Sequence, residues 1–185
     1  DAAPPVAIDD FYALTQRRRS VRWFLPKPVD RSLIDQALEA GAQAPSACNR
    51  QPFEFRIFDE PDLVQKVINL PMGSKGFGHN VPVVAVVVGK LSAFFHEHDR
   101  HLIYTDSSLA IMGFLLGLET LGLASCCLNW PDHEPYETNM AETLQLDPDE
   151  RAIMLIAIGH PDPKGMIPFS AKKSLDRLRS YNRMK

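Results

Sequence analysis

The chain has 185 residues, 45% of them hydrophobic and 23% charged, with a formal net charge of −3. That length suits one domain, 1–185, able to bury a core, and the composition is ordinary for a folded globular protein. The mild negative balance argues against a general nucleic-acid or membrane-surface binder. Three cysteines without a CxxC pair argue against both a disulfide framework and structural zinc.

Taken in chain order, the segments 1–8 and 181–185 are expected to be flexible ends. Asp9 or Asp10 is expected to cap a first helix through Phe11 and Leu14. It runs into "RRRSVRWF", residues 17–24, where four arginines fall within six positions. Pro26 and Pro28 break the chain, and Asp30 is expected to cap a second helix with Leu33, Ile34, Ala37 and Leu38 on one face. "AGAQAPSACNRQP", 40–52, reads as a loop of small and amide residues. "FEFRIF", 53–58, alternates like a half-buried strand, and Pro61 opens a short helix, 61–69.

"PMGSKGFGHN", 71–80, reads as a mobile loop, and the apolar run "VPVVAVVVG", 81–89, as a central strand. "SSLAIMGFLLGLETLGLASCCL", 107–128, carries one charge, Glu119, and a GxxxG pair, Gly113 and Gly117. It is expected to be a helix buried in a core or a subunit interface, ended by Gly122, rather than a membrane span, because Glu119 is costly in lipid. A strand near 124–129, a polar helix at 137–145 and an interior strand, 151–159, follow. The tail from His160 is expected to be extended and ends in a basic segment. Interleaved helices and strands give a mixed α and β class.

Several stretches look chemical without the pattern that chemistry needs. "GSKGFG", 73–78, lacks the GK[ST] ending of a phosphate loop and follows no strand. In "HEHDRH" the helical spacing makes His96 and His98 diverge, so a solvated segment is the simpler reading than a metal site. Cys126 and Cys127 lie in an apolar strand, where thiols behave as small hydrophobes.

The arginines are more informative. Alone they are a basic helix end complementing the dipole. However, Ser46, Asn49 and Gln51 offer neutral donors and acceptors suited to a flat heteroaromatic edge, and Lys172 and Lys173 offer cations suited to a phosphate. The three segments together describe a site for a phosphorylated heteroaromatic cofactor such as FMN.

"RRSVRWF" followed by "APSACNRQPFEF", then the segment from Thr105 to Trp130, then "IGHPDP", resembles the nitroreductase-like flavoprotein family over residues 11–175. The resemblance implies an α+β fold, a central mixed sheet flanked by helices, and an intertwined homodimer with FMN at two interface sites. It implies an oxidoreductase that takes hydride from NAD(P)H and passes it to a nitroaromatic, a quinone or a dedicated metabolite, and the odd cysteine count adds the expectation of reduced thiols in a cytoplasmic setting. Carried over residue by residue, Arg18 matches a phosphate-side cation and Ser20 a nearby polar contact. Arg22 matches the catalytic cation beside the flavin N1–O2 edge. Ser46 and Asn49 match the loop that the partner lays against the ring, and Lys172 and Lys173 match the tail cations, with either able to meet the phosphate. Arg19, Pro45 and Gln51 complete the expected set. No metal is implied. The alternative is a non-catalytic flavin-binding or dimeric scaffold module.

Overall fold

The computed structural model describes residues 4–184. Ten elements follow in chain order: α1 (Ile8–Arg17), α2 (Arg31–Ala42), β1 (Phe53–Phe58), α3 (Pro61–Ile68), β2 (Val83–Lys90), α4 (Leu102–Thr120), β3 (Ala124–Asn129), α5 (Glu134–Leu144), β4 (Glu150–Gly159) and α6 (Leu175–Leu178). The fold is α+β. Of the end segments, 1–3 and 185 lie outside the described residues, while 4–7 and 181–184 carry neither helix nor strand.

Local signals account for most element starts. The Ser32 N–H donates to Asp30 Oδ1 at 2.9 Å, capping α2, and Pro61 takes the first turn of α3. The first helix differs from expectation. Ala7 is its N-cap, and Asp9 and Asp10 sit inside its first turn, where they complement the dipole without capping. α4 begins at Leu102, five residues before the apolar run, and α5 begins at Glu134, three before its expected start. Gly122 adopts φ +75° after α4, and the Leu123 N–H reaches back to the Leu118 carbonyl at 2.9 Å.

The strands form one sheet in the order β1-β2-β4-β3. All pairs are antiparallel, with Phe53 opposite Gly89, Val83 opposite Ile158, and Ala124 opposite Gly159. The expected mixed sheet is therefore corrected: among the described residues, the only parallel pairing outside the named strands is the isolated bridge Ser20–Ser125. β2 and β4 are central and buried on both faces, which makes their sequences continuous apolar runs whichever way they pair. Val84, Val86, Leu155 and Ala157 face α3 and α5, with Val64, Ile68 and Met140 over them. Val83, Ala85, Ile156 and Ile158 face α2 and α4, with Ile34, Phe114 and Leu118 over them.

The GxxxG pair of α4 serves this second layer. A Cβ on Gly113 would stand 2.9 Å from the Ala40 carbonyl oxygen, and one on Gly117 would stand 2.9 Å from the Ala37 Cα. Both glycines thus admit α2 of the same chain. Gly117→Ala, which drives a methyl against backbone, is expected to cost about 2 kcal/mol. A melting temperature lowered by about 5 °C would show it.

One ion network crosses the sheet. Both oxygens of Glu150, whose side chain is 4% exposed, accept from Arg56 Nη2 at 2.8 Å, and Lys90 Nζ lies 3.6 Å away. Burial pushes the Glu150 carboxyl up, but the Asp147 N–H, Arg56 and Lys90 together hold it below its ordinary 4.5. A depressed carboxyl contributes stability that is complete above 4.5 and lost as pH falls through the lower folded-state value. Glu150→Gln should therefore melt well below the native chain at neutral pH, and the two melting temperatures should converge in acid. Arg56→Ala, which leaves the buried carboxylate only the Asp147 N–H and the more distant Lys90 ammonium, is expected to cost about 3 kcal/mol.

Candidate functional site

The arginine run begins where α1 ends. Arg17, its first member, is structural: its Nε lies 2.9 Å from Glu119 Oε1 and docks α1 on the C-terminal end of α4. From Arg18 the chain is extended and zips along the sheet edge. The Val21 N–H donates to the Ser125 carbonyl at 3.0 Å and the Leu25 N–H to the His160 carbonyl at 2.9 Å. The Asp162 N–H donates to the Trp23 carbonyl at 3.0 Å. Extended backbone sends successive side chains to opposite sides.

The result is a recess of about 160 Å³ lined by Arg18, Arg19, Ser20, Arg22, Pro168, Ser170 and Lys172. No carboxylate lines it. Among the described residues, none of its four cations comes within 4.0 Å of an acidic group, whereas Arg17, Arg31, Arg56 and Lys90 all do. Gathering four like charges around one small hollow is costly unless an anion neutralises them. The recess suits a phosphate, with planar guanidiniums and a hydroxyl as donors. Lys172 lines the hollow and Lys173 does not, which separates two neighbours the sequence leaves equivalent. Pro168 and Ser170 line it unforeseen. Nothing in a proline-interrupted tail marks which residues fold back.

The amide loop is built differently. Cys48, Asn49 and Gln51 all have left-handed backbone, with φ of 51°, 54° and 48°. Such non-glycine residues are strained unless held in place. Here they are held: the Ala47 N–H donates to Asp106 Oδ2 at 3.0 Å and the Gln51 N–H to Ser46 Oγ at 3.0 Å. Gln51 Nε2 also donates to Asn49 Oδ1 at 3.2 Å. Asn49, Gln51 and Pro45 remain exposed.

Within one chain the two groups stay apart. The loop is anchored at Asp106 and the arginine segment at Glu119, thirteen residues along α4. At 1.5 Å per residue that is about 20 Å. Arg18, Arg19, Ser20, Arg22 and Lys172 are thus brought together, and Pro45, Ser46, Asn49 and Gln51 are not brought to them.

The segment 71–80, read as mobile, is pinned at four buried points, Pro71, Ser74, Phe77 and Gly78, while Met72, Gly73, Lys75, Gly76 and His79 stay exposed. Ser74 Oγ donates to the Pro71 carbonyl at 2.8 Å. The Phe77 ring lies 5.9 Å from the Arg22 guanidinium carbon. Asn80 binds the Arg22–Phe24 backbone through its side chain. No local pattern singles out Asn80, although a phenylalanine inside a glycine-rich stretch is a sign of burial.

The remaining candidates carry no matching geometry. Burial raises the Cys126 thiol despite Arg22, Ser20 and Arg18 nearby, and burial pushes Cys127 up to about 11. Both are therefore neutral, weakly reactive thiols at ordinary pH. His96 and His98 stack with ring centroids 5.0 Å apart on the surface. Among the described residues, no group of three or more His, Cys, Asp or Glu is placed to hold a metal ion. Among the described residues, the one helical stretch long and apolar enough to cross a membrane, Glu97–Thr120, contains the core helix α4.

An antiparallel sheet between helical layers, with a recess of four cations at its edge, makes an α+β protein whose sheet edge can accept an anion. The comparisons with known proteins narrow that class. The sequence pattern of the nitroreductase family matches residues 15–75 and 59–160. The iodotyrosine deiodinase of Danio rerio is 33% identical over 196 residues, spanning 91% of this chain and 65% of that protein. The 4-nitrobenzoate reductase of Pseudomonas putida is 36% identical over 75 residues, 40% of this chain and 30% of that one. Among solved structures, an FMN-dependent nitroreductase from Clostridium difficile superposes with TM-score 0.77 at 20% identity, over 94% of this chain and 99% of that one. A Desulfovibrio desulfuricans structure, described as a nitroreductase in complex with FMN, superposes with TM-score 0.75 at 22% identity over 100% of both chains. The chain belongs to the nitroreductase family.

Proposed function

We propose that this chain is an FMN-dependent oxidoreductase that takes hydride from NAD(P)H and delivers it to a small organic acceptor. The carrying observation is the recess of Arg18, Arg19, Arg22 and Lys172, four cations with no carboxylate among its lining residues. Its donor set fits the FMN phosphate, and family membership supports that cofactor. When bound, FMN would supply the two-electron carrier between the nucleotide and the acceptor.

Arg18, Arg19 and Lys172 would hold the phosphate, with Ser20 and Ser170 as neutral donors beside them. Arg22 would present a fixed cation to the pyrimidine edge of the ring, where negative charge accumulates on reduction. Asn49 and Gln51 are donors and acceptors for a flat polar edge, but they reach a recess only across a subunit interface. A second copy of the chain is the natural partner. On α4, Tyr104, Leu109 and Met112 are 43%, 46% and 42% exposed, and Met166, Ile167, Phe169, Leu175 and Leu178 stand exposed on the tail. So much exposed apolar surface on α4 and on the tail suits an extensive interface.

The acceptor class stays open between a nitroaromatic, a quinone and a dedicated metabolite, and the relatives' names span nitroreduction and deiodination. The test is release of the bound flavin by heat, followed by chromatography against FMN and FAD standards. FMN at one per chain is expected, with loss from Lys172→Ala. FAD, flavin that stays with the denatured chain, or no flavin at all would contradict the reading. FMN that no nicotinamide nucleotide reduces would leave only a flavin-binding module.

A further inference from the structure

We infer that Asn80 is a positioning residue for Arg22, clasping the backbone on both sides of Trp23 so that the guanidinium is held over its site. The Phe24 N–H donates to Asn80 Oδ1 at 2.7 Å, and Asn80 Nδ2 donates to the Arg22 carbonyl at 3.1 Å and also to the Phe77 carbonyl. The amide therefore uses both its ends on one five-atom stretch of chain. The sheet edge holds Val21, Trp23 and Leu25 from the other side through Ser125, Asp162 and His160. Asn80 supplies partners to two groups that those contacts do not reach, the Arg22 carbonyl and the Phe24 N–H.

The same segment touches the side chain. Phe77, 4% exposed, places its ring 5.9 Å from the Arg22 guanidinium carbon, and the Asn80 N–H donates to the Phe77 carbonyl at 3.0 Å. Residues 77–80 thus brace Arg22 at backbone and head together. A cation that stabilises developing charge must not have to reorganise when the charge arrives, so its support governs its effect. Asn80 touches no reacting atom, and its influence passes through Arg22.

The inference rests on the proposed role of Arg22, and the experiment separates the two. The purified holoprotein is compared with Asn80→Ala, Arg22→Ala, the double variant and Ser74→Ala. Ser74→Ala loosens the same segment by removing the bond to the Pro71 carbonyl without touching Arg22. Flavin midpoint potential, rate of reduction by NAD(P)H and melting temperature are read for each, together with hydrogen exchange at the Phe24 amide of the apoprotein. Asn80→Ala is expected to lower the potential in the same direction as Arg22→Ala, and to slow reduction about tenfold, as loss of a supporting contact does elsewhere. It should also speed Phe24 exchange and leave FMN affinity unchanged. The double variant should be no worse than Arg22→Ala. Ser74→Ala should lower the melting temperature and keep the native potential.

If Asn80→Ala lowers stability as Ser74→Ala does but keeps the native potential while Arg22→Ala shifts it, the clasp is merely structural and the inference falls alone. If Arg22→Ala leaves the potential unmoved, the role of Arg22 falls and the inference with it. Should Asn80→Ala not yield folded holoprotein, Asn80→Ser, which retains a hydroxyl for one of the two bonds, is judged by the same potential criterion.

Discussion

Arg22→Ala is expected to slow reduction of the bound flavin by about a hundredfold, and to lower its midpoint potential, while most FMN stays bound. The expectation follows from which charge each arginine faces. A phosphate is anionic before and after the reaction, so a cation beside it contributes equally to both states and sets affinity. The pyrimidine edge gains charge only as hydride arrives, so a cation there contributes to the transition state and the product. Arg18 and Arg22 line the same hollow, and Arg22 is held by Asn80 at its backbone and by Phe77 at its head. Arg18→Ala should therefore behave in the opposite way, keeping the potential and losing FMN. The missing charge-assisted bond is worth about 2 kcal/mol, roughly thirtyfold in affinity. Equal FMN loss from both variants with unchanged potentials would overturn this division of roles.

Mixed dimers of Arg18→Ala and Asn49→Ala are expected to recover activity that neither parent shows. The two residues lie toward opposite ends of α4 in one chain, so they can share a site only if each comes from a different protomer. In a mixed dimer one site then carries both defects and the other carries none. Random reassortment after joint unfolding and refolding makes half the dimers mixed, so about a quarter of native activity should return if the parents are nearly inactive. A site built within one chain gives no recovery, because every site keeps a defect. Flat activity after verified subunit exchange between folded variants would exclude the shared site while leaving FMN binding intact.

The sequence reveals local order better than it reveals what lies across a gap. β1 occupies the residues its alternation marks, Phe53–Phe58, because strand period and half-burial are both local properties. Asp30 caps α2 for the same reason. The GxxxG face of α4 is legible as a close-approach surface, but periodicity does not say that α2 of the same chain fills it. β2 reads as buried on both faces, and that pattern is silent about strand direction, so a mixed sheet was expected where an antiparallel one formed. In 71–80 the glycines and lysine, Gly73, Lys75 and Gly76, do face solvent, while the burial of Phe77 and the bonds of Asn80 arise from contacts with residues over fifty positions away that the local pattern does not carry. At the site, the arginine segment and the basic tail were both legible, and the choice of Lys172 over Lys173 needed three dimensions.

The function proposed for the recess is to hold a flavin that nicotinamide nucleotide reduces. The direct measurement is an anaerobic titration of the purified protein with NADH or NADPH, followed through the flavin absorption band. The expected result is a yellow protein that bleaches with one nucleotide per chain and regains its colour when a nitroaromatic or quinone is added. A colourless protein that takes up no FMN, or a yellow one that neither nucleotide bleaches, would contradict the account.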